Sequence, residues 1–174
     1  MLTLRFMRKN PENYPEQSNQ EVYNRSGLIA SVLGTATIAN TTETTLASYT
    51  LPAGSFDPNK ASPNGTLTVY AWGKFGATAN NKTVKLYFGS QNLSTGANAD
   101  NNTSWWMEVV CQRSGLSTQN VSYNGQRSGT ALSTSSLQQT ESEAADILIK
   151  LTGTNGTAAA NDIVCHGLIV TFAE

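Results

Sequence analysis

The chain has 174 residues, 11 basic and 12 acidic side chains and a net charge of -1, and charged residues make up only 13%. This length favours one domain, and so small a net charge leaves no general field to attract nucleic acid or an anionic membrane. No apolar run approaches the roughly 20 residues of a membrane helix, and the start lacks a signal-peptide pattern. We expect a protein made and kept in a cytosol, with neither nucleic acid nor membrane as partner.

Residues 1–27 differ in composition from the rest of the chain. They mix arginine and lysine with glutamate, contain two prolines that prevent a long helix, and show no sustained apolar period. Such a segment cannot bury enough apolar surface to fold alone. We predict an extended N-terminal arm that docks on a neighbouring copy, a partner surface or its own domain. Its candidate contact residues are Arg5, Arg8, Lys9, Tyr14 and Tyr23.

Residues 28–174 show the pattern of consecutive strands, in which stretches rich in Val, Ile, Thr and aromatic residues are separated by Gly, Pro and Asn. Alternation is clearest over residues 66–75, where one face is apolar, and it recurs over 83–88. The polar link 76–81 between them predicts a hairpin. Residues 105–112 form a third strand with one strongly apolar face.

The remaining segments complete a set of about eight or nine strands with no amphipathic helix, which suits a jelly roll. We therefore predict an all-β fold, a two-sheet antiparallel β-sandwich of jelly-roll type preceded by the arm. Asn124-Gly125 is expected to turn between two weaker strands, and Gly153 to Gly156 between the last two. The other predicted strands are 28–39, 44–51, 144–152 and 163–172, and the longest loops are 52–65 and 90–104.

Catalytic chemistry has little support in this sequence. His166 is the single histidine, and because it alternates with Val164 and Leu168 we expect it on a packed face as a structural residue. No His-x-His, Cys-x-x-Cys or Gly-x-Ser-x-Gly motif occurs. Cys111 and Cys165 lie in strand-like apolar patterns, so we expect both to be buried and reduced, with a bridge as the alternative.

Carboxylates and other oxygen ligands also give no sign of a catalytic or metal site. The acidic residues between 108 and 146 show no apolar pocket that would raise a pKa for acid/base work. The loop Asp100-Asn101-Asn102 offers oxygen ligands for Ca²⁺ but lacks a spaced bidentate glutamate. We therefore predict no catalytic residue, no metal site and no cofactor.

Four aromatic residues alternate out of phase with the main apolar rows: Tyr70, Trp72, Tyr87 and Trp106. They form an exposed stacking platform for sugars, or part of the core, or a surface buried between subunits, where Trp and Tyr are enriched. We favour the subunit interface, since the low surface charge leaves few ions to desolvate on contact. A homo-oligomer is therefore expected.

Three runs of the chain carry a family resemblance. The runs are GTATIANTTETTLASYTLPAGSF, GTLTVYAWGKFGATANNKTVKLYFGS and GTAAANDIVCHGLIVTF. Together they resemble a module of structural proteins of tailed bacteriophages, found in both capsid decoration proteins and fibres, over roughly residues 34–172. The resemblance implies a β-sandwich virion component, commonly oligomeric and assembled in the bacterial cytoplasm, and it carries no active-site motif.

Within that class, the short chain with one β domain and an arm favours a capsid decoration, or cement, protein. Its partner would be the major capsid protein, bound across capsomers through the arm, and its self-association would be a trimer by analogy with related phage modules. The alternative is a head-fibre or tail-fibre module that binds host-surface glycan. The two hypotheses differ in the surface used: arm and subunit seam for cement, exposed aromatics and loops for glycan.

Overall fold

A computed structural model of the protein describes residues 27–55, 65–115, 117–132 and 135–173. Within these ranges the regular structure consists of strands, and no helix is long and apolar enough to cross a membrane. The strands are β1 (Gly27–Leu33), β2 (Thr44–Leu51), β3 (Thr66–Phe75), β4 (Lys82–Phe88), β5 (Gln91–Ser94), β6 (Ser104–Gly115), β7 (Thr118–Arg127), β8 (Thr130–Ala131), β9 (Ser135–Gln139), β10 (Ile147–Asn155) and β11 (Ile163–Ala173).

The strands form two sheets. The larger is seven-stranded, in the order β1-β11-β3-β6-β7-β8 with β9 also paired to β7, and the smaller is four-stranded, in the order β2-β10-β4-β5. Every strand pair is antiparallel. The predicted two-sheet antiparallel sandwich of jelly-roll type is confirmed. The predicted arm contacts Arg5, Arg8, Lys9, Tyr14 and Tyr23 lie outside the described residues.

The core lies between the two sheets, because alternate side chains of each strand point to the same face. In β3 the inward row includes Leu67, Val69 and Phe75, all fully buried, as the alternation predicts. Inward rows of β6 and β11 extend this layer, and those of β4 and β10 cover it from the smaller sheet. Cys111 and Cys165 belong to this core as free, buried thiols. Burial raises the pKa of Cys111 to about 12 and that of Cys165 to about 11.

The predicted hairpin between β3 and β4 is wrong. These strands belong to different sheets, so the link 76–81 crosses from the larger sheet to the smaller one. At the start of this link, the Gly76 amide donates a hydrogen bond to the Asp162 carbonyl, with an N···O distance of 2.8 Å. Alternation reports which face of a strand is apolar, but both sheets of a sandwich bury an apolar face, so it does not identify the sheet.

Four other boundaries also differ from the prediction. Asn124 and Gly125 lie inside β7, and the turn follows at Ser128-Gly129, where both residues have positive φ angles of 47° and 78°. Gly153 to Asn155 continue β10 instead of turning, since they pair with residues of β4. The predicted loop 90–104 contains β5, and the first strand ends at Leu33. Short polar strands carry weak alternation, so turn residues dominate their sequence signal.

One buried lysine secures the crossing. Lys82 is 0% exposed, and its ammonium donates to the carbonyls of Thr78 at 2.6 Å, Asn80 at 2.9 Å and Asp100 at 3.1 Å. The Asp162 carboxylate lies 3.7 Å from the same nitrogen. A buried charge is tolerated only when it is paired and hydrogen-bonded. Lys82 therefore holds the crossing, the 95–103 loop and the start of β11 together.

Replacing this lysine tests that role. Lys82→Met keeps the length of the side chain but leaves three carbonyls and the buried Asp162 carboxylate without their cation, so the free energy of unfolding should fall by about 3 kcal/mol. The control Lys74→Met, at an exposed position of β3, should change it by less than about 0.5 kcal/mol. Denaturant unfolding measures the free energy of unfolding of both variants. Equal values for Lys82→Met and the wild type would refute this role of Lys82.

Candidate functional site

Tyr70, Trp72 and Trp106 come together on the outer face of the seven-stranded sheet, and we call these three rings the aromatic platform. Trp72 of β3 lies directly opposite Trp106 of β6, and Tyr70 precedes Trp72 on the same face. The Tyr70 ring centroid is 5.7 Å from that of Trp72, with an interplanar angle of 30°, and 5.8 Å from that of Trp106, with an angle of 24°. All three side chains remain partly exposed.

A glycine on the neighbouring strand determines how Trp72 lies. Gly167 of β11 is directly opposite Trp72, and a Cβ atom added there would stand 2.7 Å from Cη2 and 2.8 Å from Cζ2 of the indole. Real Cβ atoms do not come so close, so a larger residue would displace the ring. Because Gly167 has no side chain, the end of the indole lies over the backbone of β11 at this position.

The pairing register of β11 shifts between Cys165 and Gly167, and His166 is the extra residue at this bulge. Its side chain is exposed, so the prediction that His166 lies on a packed face is wrong. Alternation is regular up to this point, with Ile163 and Cys165 buried, so His166 faces outward like Val164. The bulge adds one residue after it and turns Leu168 inward, so the row His166–Leu168 on which the prediction rested does not exist.

A hydrogen-bonded glutamine fixes the third ring. Gln126 of β7 is directly opposite Trp106, and its Oε1 accepts a hydrogen bond from the indole Nε1 at 3.2 Å. The Gln126 Nε2 donates in turn to the Gly129 carbonyl at 2.9 Å, in the turn after β7. The orientation of the Trp106 ring is therefore set before any ligand arrives. The sequence pattern does not indicate Gln126, whose role becomes recognisable only once the cross-strand register is known.

The rings form the floor of a shallow depression of about 510 Å³. Its lining is mainly apolar, with two hydroxyls, an ammonium and an imidazole among the side chains. Pockets of this size with few polar groups are typical of ligand sites. The lining residues are Tyr70, Trp72, Gly73, Lys74, Ser104, Trp105, Trp106, His166 and Ile169.

Tyr87 does not join the aromatic platform. It lies on β4 in the four-stranded sheet, so the predicted surface of four aromatic residues is wrong for this member. Its outward orientation follows the predicted alternation, but the hairpin that would have placed β4 beside β3 does not exist. The Lys150 ammonium lies 4.6 Å from the Tyr87 ring centroid. The role of all four residues in a subunit interface stays a prediction.

Glu43 organises the polar outer face of this smaller sheet. Its carboxylate accepts hydrogen bonds from Lys85 at 2.9 Å, Tyr87 at 2.9 Å and Thr152 at 2.8 Å. Burial opposes ionisation of Glu43, but these bonds outweigh it and lower its pKa to about 2. The same contact raises the pKa of Lys85. Each of these four side chains thus has a partner within the protein.

This shift predicts an acid-dependent loss of stability. A carboxyl whose pKa is lower in the folded state stabilises the fold above its unfolded value of 4.5, and this stabilisation disappears as the pH falls towards 2. Because Glu43 is partly exposed, we expect less than about 1 kcal/mol. Glu43→Gln should flatten that part of the curve of unfolding free energy against pH. If the curves of unfolding free energy against pH were parallel for the wild type and Glu43→Gln, the Glu43 carboxylate would not be stabilised by these hydrogen bonds.

Metal chemistry has no support in the described ranges, where no group of three or more His, Cys, Asp and Glu residues is placed to hold an ion. The loop carboxylate Asp100 is instead bonded to Arg127 at 2.6 Å. Glu143 is paired with Arg113 at 2.8 Å. The carboxylates of these loops therefore serve as structural ion pairs.

No protein-family model matches the chain, and no curated protein matches it as a relative. Among solved structures it is similar to the CBM2 module of the evolved Dit of Lactobacillus casei BL23 phage J-1, with 9% identity, a TM-score of 0.44 and coverage of 80% of this chain and 75% of that chain. It is also similar to the lectin UEA-II complexed with galactose, with 6% identity, a TM-score of 0.39 and coverage of 82% and 87%. A third match is the alginate lyase Aly36B, with 9% identity, a TM-score of 0.35 and coverage of 82% and 79%. These likenesses concern the β-sandwich fold alone.

Proposed function

We propose that the protein is a glycan-binding module and that the aromatic platform is its binding surface. The observation that carries the proposal is the set of three neighbouring rings, inclined to one another by 30° and 24° and only partly exposed, at the floor of a shallow depression. A pyranose ring has an apolar face of C–H groups and an edge of hydroxyls. The face can stack on an aromatic floor while the edge bonds to polar groups around it.

The orientation of the rings favours a ligand over a second subunit. Interface anchors are aromatic side chains that fill pockets on a partner. Here Trp72 lies against Gly167, and Trp106 is held by Gln126. Such rings form a floor rather than a protruding anchor. Polar groups of Lys74, Ser104 and His166 stand around this floor, where hydroxyl groups of a sugar need partners.

The resemblance of three sequence runs to structural proteins of tailed bacteriophages supports a location on a virion. We place it on a virion, where it would attach the particle to a glycan of the host surface. The cement hypothesis depends on the arm, and residues 1–26 lie outside the described ranges. No observation on the described residues favours capsid cementing over glycan binding, and self-association as a trimer remains a separate proposal.

Removing one ring should weaken binding without unfolding the domain. Trp72→Ala should lower affinity at least tenfold, about 1.4 kcal/mol, because a central aromatic contact is lost. The matched control Tyr87→Ala removes an outward aromatic residue of the other sheet and should leave affinity unchanged. A glycan array identifies a ligand, calorimetry gives its affinity, and thermal unfolding verifies that each variant is folded.

Gly167→Ala tests the same surface without deleting a ring. The added Cβ meets the end of the Trp72 indole, which can move, so the domain should fold while the ring tilts and affinity falls several-fold.

Sedimentation velocity of the wild type and of Trp72→Ala tests the alternative, that the platform is a contact between subunits. An oligomer that Trp72→Ala dissociates, together with an array that shows no bound glycan, would make the platform a subunit seam and refute the proposal.

A further inference from the structure

The charges around the aromatic platform are unevenly distributed. Lys74 follows Trp72 on the same face of β3, about 7 Å further along the strand. It is exposed, and His166, also exposed, lines the same depression. The lining contains no aspartate or glutamate. The outward carboxylate of Glu108 lies opposite Tyr70, away from Lys74. One end of the platform is therefore basic.

Lys74 is also exceptional among the basic residues that the structure describes. Lys82, Lys85, Arg113 and Arg127 each have a carboxylate within 4.0 Å. The Lys150 ammonium lies over the Tyr87 ring. Among the basic residues of the described ranges, Lys74 alone has no carboxylate or aromatic partner. Its ammonium is therefore free to bind an anionic group of a ligand that lies in the depression.

We propose that this end, formed by Lys74, His166 and Ser104, binds an anionic group of the glycan, so that the ligand class is an acidic polysaccharide. The inference rests on the proposed function. Ser104 is directly opposite Lys74 and exposes a hydroxyl that can donate to an anionic oxygen. A sugar stacked on Trp72 would direct an exocyclic carboxylate, sulfate or phosphate towards the ammonium, which forms a charge-assisted hydrogen bond with it.

The test compares neutral and acidic glycans on the same scaffold. An array should carry neutral oligosaccharides beside versions with the same backbone that bear uronate, sulfate ester or phosphate groups. We expect acidic members to bind more strongly, and added salt to reduce the difference. Lys74→Gln should lower affinity for the acidic member about fivefold, as expected for one exposed ion pair, and should lower affinity for the neutral member by a smaller factor, because glutamine keeps a hydrogen-bond donor for a sugar hydroxyl. His166→Gln should have a smaller effect of the same kind.

Lys150→Gln is the matched control, because it removes a lysine from the other sheet and should affect neither ligand. Equal binding of neutral and acidic members, unchanged by Lys74→Gln but lost in Trp72→Ala, would overturn the acidic ligand class and leave the glycan-binding proposal standing. Absence of any platform-dependent binding across the array would contradict the proposed function itself. Preference among uronate, sulfate and phosphate members identifies the source of the anionic group.

Discussion

The absence of a side chain at Gly167 is the constraint on which the outer surface of the larger sheet depends. It allows the Trp72 indole to lie against the β11 backbone, which leaves room for Tyr70 to stack at 5.7 Å. The opposite face has a matching arrangement, because Gly73 is directly opposite Trp105 and a Cβ there would stand 2.4 Å from that indole. Glycines thus accommodate one tryptophan in the core and another on the surface of the same three strands.

The bulge at His166 in β11 lies directly beside Gly167 and affects the polar edge of the candidate site. A bulge re-aims side chains and is over-represented near functional sites. Here the bulge residue His166 is exposed and is followed at once by the glycine that accommodates Trp72. This short stretch of β11 therefore supplies His166 to the polar edge and the space in which Trp72 of the floor lies, and the neighbouring strands β1 and β3 hold it on both sides. A rigid floor lowers the ordering cost of binding, because few side chains need to be immobilised.

Alternation in the sequence predicts the outward orientation of Tyr70, Trp72 and Trp106, and it predicts the sandwich, because both follow from the two-residue period of a strand. It does not predict which strands are neighbours. Alternation places Tyr87 outward as well, but on the other sheet, because the link 76–81 is a crossing held by Lys82 and not a hairpin. His166 and Gln126 could not be assigned either, since their positions depend on a bulge and on the cross-strand register.

The indole N–H signals of the three tryptophans give the most direct measurement of the central claim, that the platform is the glycan surface. In a ¹H–¹⁵N spectrum of labelled protein, with each signal assigned by substitution, a glycan selected from the array is titrated into the sample. The signals of Trp72 and Trp106 should shift, because their rings are partly exposed, whereas that of Trp105, only 1% exposed, should shift much less. A saturable glycan titration that leaves the Trp72 and Trp106 signals in place would contradict the account.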